Sequence, residues 1–326
     1  MQALNYPAAA ARGLKHFIER EKARDLTGKY AVDITCCQKL LELLQFPECQ
    51  HFQLPEGGHI FNDNLKGIQG KPIRLPYRLI SVSYFVKNEP HESHFDGVAM
   101  HYVPKRVIVA IEIPRTELVG GDESLFPGCE RLCMVMALFC KEEIWTPCMA
   151  LAILPSDKWD GTDYAHGKDD VFLREPGGAM FLGRIKIMLP TFYDRIVKAY
   201  GKSYASRSAY FDIGGEAATV LELCEALTCS NVHESTIQSA NPNINERRER
   251  DGKLPLWETK TLTIDLPVTR SEDRPWRGGH HASPRLHLCR GHIRSLPGGD
   301  GNIWINDYAR GDPTKGTINK TYKVRT

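Results

Sequence analysis

Apolar and polar positions follow two different periods along this chain. Within "AAAARGLKHFIEREKARDL" (8–26), Leu14, Phe17 and Ile18 recur at helical spacing and predict a helix. "ITCCQKLLELLQF" (34–46) predicts a second, ended by Pro47. A loop rich in Gly, Pro and Asn follows at 54–76. Runs of β-branched and aromatic residues then predict strands at 77–86, 106–113, 131–140 and 148–154. The polar, turn-rich stretch 156–170 predicts an exposed excursion. Helices are expected at 185–201 and 214–229. In the second, Gly214–Gly215 mark the start and Val220, Leu223, Cys224 and Leu227 form one apolar stripe. "SANPNINERRERDGKLPLWETKTLTID" predicts a polar loop and then a strand near 258–265.

This order does not alternate as βαβ units do, so the expected class is α+β. It reads as a helical N-terminus, a mixed or antiparallel central sheet, more helices, and a basic β-rich C-terminal region. A composition shift near 239–255 divides the chain into an α+β domain, 1–240, and the basic region, 241–326, which is either separate or part of the same fold. There is no internal repeat with a period of about 20–50 residues.

Composition changes the picture in one place. Apolar residues make up 42% and charged residues 25%, enough for a sizeable core. The net charge of +2 conceals an uneven distribution: residues 243–326 hold 16 Lys and Arg against 10 Asp and Glu, a net +6, and the rest is −4. A basic end of this kind suits an anionic partner, or is ordinary solvated surface. No secretory leader and no membrane-crossing run is read, so a cytoplasmic setting without membrane contact is expected. The gaps between Cys129, Cys133, Cys140 and Cys148 match no common zinc pattern, and "LCMVMALFC" is apolar. These cysteines, with Cys36, Cys37, Cys224 and Cys229, are expected as buried free thiols.

Three stretches carry candidate chemistry. "KNEPHESHFDGVAMHY" (87–102) crowds His91, Glu92, His94, Asp96 and His101 between two strands. His and carboxylate at this spacing suit a divalent transition metal, with His91, His94, Asp96 and His101 as ligands. His94-x-Asp96 also fits the tripeptide of iron sites built from two His and one carboxylate, with His166 as distal ligand and Arg184 for a keto-acid carboxylate. The alternative is an exposed polar loop, and no other cofactor is expected. In the second stretch, Arg247, Arg248 and Lys253 are placed to contact phosphate, although Glu246, Glu249 and Asp251 nearly neutralise them.

The third is "SPRLHLCRGHIRSLPGGDGNIWIN" (283–306), a basic strand, a glycine-rich turn and a returning strand bearing Trp304. Alternation sets His287 and His292 on opposite faces. A bulge at Gly291 shifts the register and brings Arg285, His287, His292 and Arg294 together. Such a face fits a metal-independent ribonuclease, with His287 and His292 as base and acid and Arg290 stabilising phosphorane charge. It equally fits phosphate binding through Arg285 and Arg294 with Trp304 beside them, or a structural hairpin.

Two segments carry a family resemblance. "ALTCSNV" with "NERRERDGKLPLWETKTLTI", and "HASPRLHLCRGHIRSL…IWINDYARGD…GTINKTYKV", resemble the end of an uncharacterised family common in bacteriophage and prophage genomes. The likeness covers about residues 222–325. Cys289 departs from it, standing where the family often has Arg. The resemblance implies a phage or prophage origin and the cytoplasm of an infected bacterium. It brings no activity and no functional residue. The expected function is therefore a phage accessory protein that contacts nucleic acid or a nucleotide through its C-terminal face. Alternatives are the ribonuclease and an inhibitor that binds a host protein, such as a defence factor, through 87–102 and 156–170.

Overall fold

In the computed structural model the chain opens with α1 (Tyr6–Arg24), α2 (Ala31–Gln45) and a short strand, β1 (Gln50–Gln53). Next come β2 (Leu79–Phe85), β3 (His94–Phe95), β4 (Val98–Ala99), β5 (Lys105–Pro114), β6 (Arg131–Lys141), β7 (Ile144–Pro147) and β8 (Ala150–Pro155). β9 (Leu173–Arg174), β10 (Met180–Phe181) and β11 (Arg184–Ile187) lead to α3 (Pro190–Tyr200) and α4 (Lys202–Leu227). The remainder holds β12 (Val232–Gln238), α5 (Pro242–Arg250), β13 (Thr259–Ile264), β14 (Arg285–Cys289), β15 (His292–Ser295), β16 (Asn302–Ile305), β17 (Tyr308–Arg310) and β18 (Asp312–Ile318). The structure describes residues 4–58, 60, 73–86, 94–95, 98–99, 105–117, 126, 128–156, 173–174, 180–181, 183–265, 285–289, 292–296, 301–305, 308–310 and 312–318. For β3, β4, β9, β10, β14, β17 and β18, and for His292 and Ser295, the backbone alone is described.

The architecture is α+β, built on one mixed sheet in the order β11-β8-β6-β5-β2-β1-β13-β12, with β7 folded back on β6. The five strands from β11 to β2 are antiparallel neighbours. β1 runs parallel to both β2 and β13, and β13 is antiparallel to β12. β13 therefore lies inside the large sheet, which crosses the 240/241 boundary drawn from composition.

Both faces of the sheet are covered around its centre, which explains why β2 from Leu79 to Tyr84 and the middle of β5 are buried. Successive strand residues point to opposite faces. Lys105 lies over the Tyr6 ring of α1, at 6.0 Å, whereas Arg106 pairs with Glu216 of α4. α1 and α4 thus occupy opposite sides. In α4 every residue from Glu216 to Cys224 is buried, so this half of the helix has no solvent face.

Several expectations are corrected here. The single helix at 185–201 is instead β11 followed by α3, because Pro190 takes the first turn of the helix. Gly214 and Gly215 lie inside α4, not at its start. Residues 242–250 are the helix α5, whose N-cap Asn241 accepts from Ile244 N at 3.3 Å; they are not a loop. The cysteines are free thiols among the described residues, and all but half-buried Cys36 are buried.

Candidate functional site

The histidine-arginine stretch does not form one strand. β14, with His287, pairs with β17 and β18 in a small sheet, His287 opposite Arg310 and Ile318. β15, with His292, pairs with β16 in a separate ribbon, His292 opposite Ile305 and Ser295 opposite Asn302. A shared sheet face through a bulge at Gly291 is therefore not how the two histidines are arranged. The side chains of Arg285, His287 and His292, and all of Arg290 and Gly291, lie outside the described residues. Of this group Arg294 is described: it is exposed on the ribbon.

Trp304 has a different task from the one expected. It is buried with Ala226, Cys229 and Val232, and its backbone N–H and C=O are both held by the Asn231 amide, at 2.8 and 2.9 Å. Ser230 N donates to Asn302 O at 2.9 Å beside it. The ribbon is thereby docked on the turn that ends α4, and a ring buried in that joint offers no face for stacking on a base.

The basic segment divides by role. Arg248 donates to Leu254 O at 2.7 Å and closes the turn after α5, while Asn245 bonds Leu256 through both ends of its amide, at 2.7 and 2.9 Å. Lys253 pairs with Asp251 at 3.2 Å. The side chains of Arg247 and Arg250 are exposed and form no hydrogen bond or ion pair among the described residues. In the candidate metal loop, β3 and β4 pair His94 with Ala99; His91, Asp96 and His101, and the His94 side chain, lie outside the described residues. His166 lies outside them too. Among the described residues no group of three or more His, Cys, Asp or Glu is placed to hold a metal.

Two clusters that sequence reasoning did not single out stand out in the structure. The first lines a cavity of about 480 Å³ between the end of α2, β1 and the start of β13. His51 sits in its wall on β1. Its Nδ1 lies 2.6 Å from Ser81 Oγ on β2 and 3.9 Å from Cys49 Sγ, and its ring stacks on Trp257 with centroids 4.9 Å apart. The register explains the first contact, since His51 and Ser81 are partners in the parallel pair. Burial pushes the His51 pKa down to about 4, so the ring is neutral at pH 7. Burial also pushes the Cys49 thiol up to about 12, with the Ser81 hydrogen bond pulling weakly the other way. A protonated thiol beside a fully buried serine is not an activated nucleophile. With Nδ1 engaged, Nε2 is the ring nitrogen left for a ligand. Phe46, half exposed at 49%, Gln50, Glu258 and Lys260 line the same cavity. Lys260 Nζ is already bonded to Tyr77 Oη at 2.9 Å and to Glu234 at 3.0 Å.

The second cluster is ionic and lies under α4. Glu216 is fully buried, pairs with Arg106, and accepts from Tyr84 Oη at 3.2 Å, while its Oε2 has no hydrogen-bond partner. One turn earlier, Asp212 is raised to about 7 by burial and by the Glu216 carboxylate, against the pull of Arg106 and Ser208. A carboxyl raised in the folded state holds its proton there between about pH 4 and 7, where the unfolded chain has lost it. Its contribution to stability therefore falls as pH climbs through that window and is level above it. Asp212→Asn should remove this fall. The variant is expected to gain on the parent protein as pH rises, by about 1–3 kcal/mol at pH 8. Urea unfolding at pH 5 and pH 8 checks it, and a difference that does not change with pH would contradict the assignment. His51, lowered in the folded state, has the opposite slope between about pH 4 and 6.5 but is common to both proteins.

Among the described residues no helix is long and apolar enough to cross a membrane. Compared with protein-family models, with curated proteins and with solved structures, the chain finds no match.

Proposed function

We propose that the protein contacts nucleic acid, or a nucleotide, through the positive surface of its C-terminal part. The observation that carries this reading is the state of Arg247 and Arg250. Both lie in the last turn of α5, both are exposed, and neither is paired. Arg248 on the same helix is committed to the fold, so the two free guanidinium groups are not needed to hold the turn. Phosphate is a ligand that suits free, exposed arginines, because planar N–H pairs match its oxygens. Arg294 adds a third exposed cation, on β15. The phage resemblance supports the cytoplasm of an infected bacterium as the setting and a phage accessory role as the context.

Counterion release makes such contacts salt-dependent. Labelled single-stranded RNA and duplex DNA, followed by fluorescence anisotropy across a salt series, should bind more weakly as salt rises. Arg247→Ala with Arg250→Ala should reduce the slope of log affinity against log salt by about one to two. No binding at low salt, or binding indifferent to salt, would sink the proposal.

A further inference from the structure

We infer that the cavity walled by His51 and Trp257 is a nucleobase site, separate from the phosphate-contacting arginines. It rests on the reading above only for the source of the base, a free nucleotide or a single strand. Size is the first argument: about 480 Å³ lies in the range of small-molecule pockets and leaves room for one base with its sugar. The second is the walls. Phe46 and Trp257 line one cavity, and Phe46 is a large aromatic residue left half exposed where α2 ends. Trp257 is stacked on His51, which is held in turn by Ser81. A platform ordered before the ligand arrives loses little entropy on binding, and a flat π-system is what it accepts best.

Charge decides between base and phosphate. Lys260 is the cation lining this cavity, and Glu234 already neutralises it. Glu258 is exposed and adds a carboxylate, so the lining disfavours an anion. Glu258 accepts from amino and ring N–H groups. Gln50 Oε1, whose amide nitrogen donates to Glu48 O at 3.3 Å, and His51 Nε2 supply further hydrogen-bonding positions. That set suits the polar edge of a base that presents donors, guanine foremost, and leaves phosphate outside, in solvent.

Isothermal titration with guanosine, guanosine monophosphate, the other three nucleoside monophosphates and inorganic phosphate tests the site. Guanosine and its monophosphate should bind with affinities within about threefold of each other, and inorganic phosphate should not compete. Phe46→Ser and Glu258→Gln alter exposed side chains, so thermal unfolding should be nearly unchanged. Each should weaken nucleoside binding by about tenfold, and oligonucleotide binding likewise, with the salt slope intact. No nucleoside binding at millimolar concentration, together with oligonucleotide binding intact in both variants, overturns the base site and leaves the arginine surface standing. Nucleoside binding without salt-dependent oligonucleotide binding does the reverse. Competition by inorganic phosphate alone also overturns it.

Discussion

Arg106→Ala is expected to destabilise the protein by about 3–5 kcal/mol, measured by urea unfolding near neutral pH. The loss comes from what the arginine leaves behind. Glu216 is fully buried on α4, one of its carboxylate oxygens already lacks a partner, and Asp212 stands one turn away. Without the guanidinium, the Tyr84 hydroxyl is the hydrogen-bond donor left to that carboxylate among the described residues. Arg106 also packs over the rings of Tyr84 and Phe139, at 5.9 and 5.6 Å, so apolar contact is lost with the charge. Glu216→Gln in the Arg106→Ala background should restore about 1–3 kcal/mol, because a neutral amide costs less to bury than an unpaired carboxylate. A loss below about 1 kcal/mol in the single variant, or no recovery in the double, would show that the pair does not hold α4 to the sheet.

What the chain reveals in advance depends on how local each cause is. The long strands β2, β5, β6 and β8 and the helices α1 and α2 are written in short-range periodicity and come out close to the expected places. β7 is not, because its turn is Glu142–Glu143, both at positive φ (50° and 63°). That is the backbone of a tight hairpin usually marked by Asn-Gly, and two glutamates give no such signal. α5 has a legible start, Asn241 then Pro242, but its body lacks an apolar period and so reads as loop. Residues 202–213, rich in Ser and Tyr, hide the first half of α4 for a related reason: only Ala205, Ala209 and Ile213 are buried, a stripe too thin to mark a helix by its apolar period.

The cavity was less legible still. His51 lies in a four-residue strand, QHFQ, between Pro47 and Pro55, and nothing within that run marks it as special. It acquires meaning from Ser81, 30 positions away, and from Trp257, in the segment before β13. Those neighbours depend on β1 lying between β2 and β13, a parallel arrangement that local pattern does not specify. The reverse holds for the stretch 283–306. Its hairpin is legible, since 292–295 does pair with 302–305, but the assumption that 285–289 continues into the same hairpin fails because β14 finds its partners in β17 and β18. Histidines close in sequence thus stand on strands of two different sheets, whereas His51 and Trp257 meet in space without any cluster in sequence.

Asp33→Ala should cost about 2–4 kcal/mol, the second large loss expected. α3 opens on Pro190 behind Leu189, which has no capping side chain, so its first N–H groups need acceptors from elsewhere. Asp33, on α2 and only 4% exposed, supplies both: Oδ1 accepts from Thr191 N and Oδ2 from Phe192 N, each at 3.1 Å. A carboxylate at a helix N-terminus also meets the positive end of the helix dipole. Alanine leaves one buried and one partly buried donor without the carboxylate. Asparagine should lose about half as much, because its oxygen can serve one donor while its NH₂ faces the other. Thr191→Ala is the control: it removes a 3.0 Å bond to Lys29 O but keeps the cap, and should cost about 1 kcal/mol. Urea unfolding gives the order Ala, then Asn, at position 33, with the control smallest. Hydrogen exchange should show faster exchange at the Thr191 and Phe192 amides in Asp33→Ala. Equal losses in Asp33→Ala and Thr191→Ala would mean that the α2–α3 contact rests on packing and not on this cap. Protection of the two amides unchanged in Asp33→Ala would say the same independently of the stability scale.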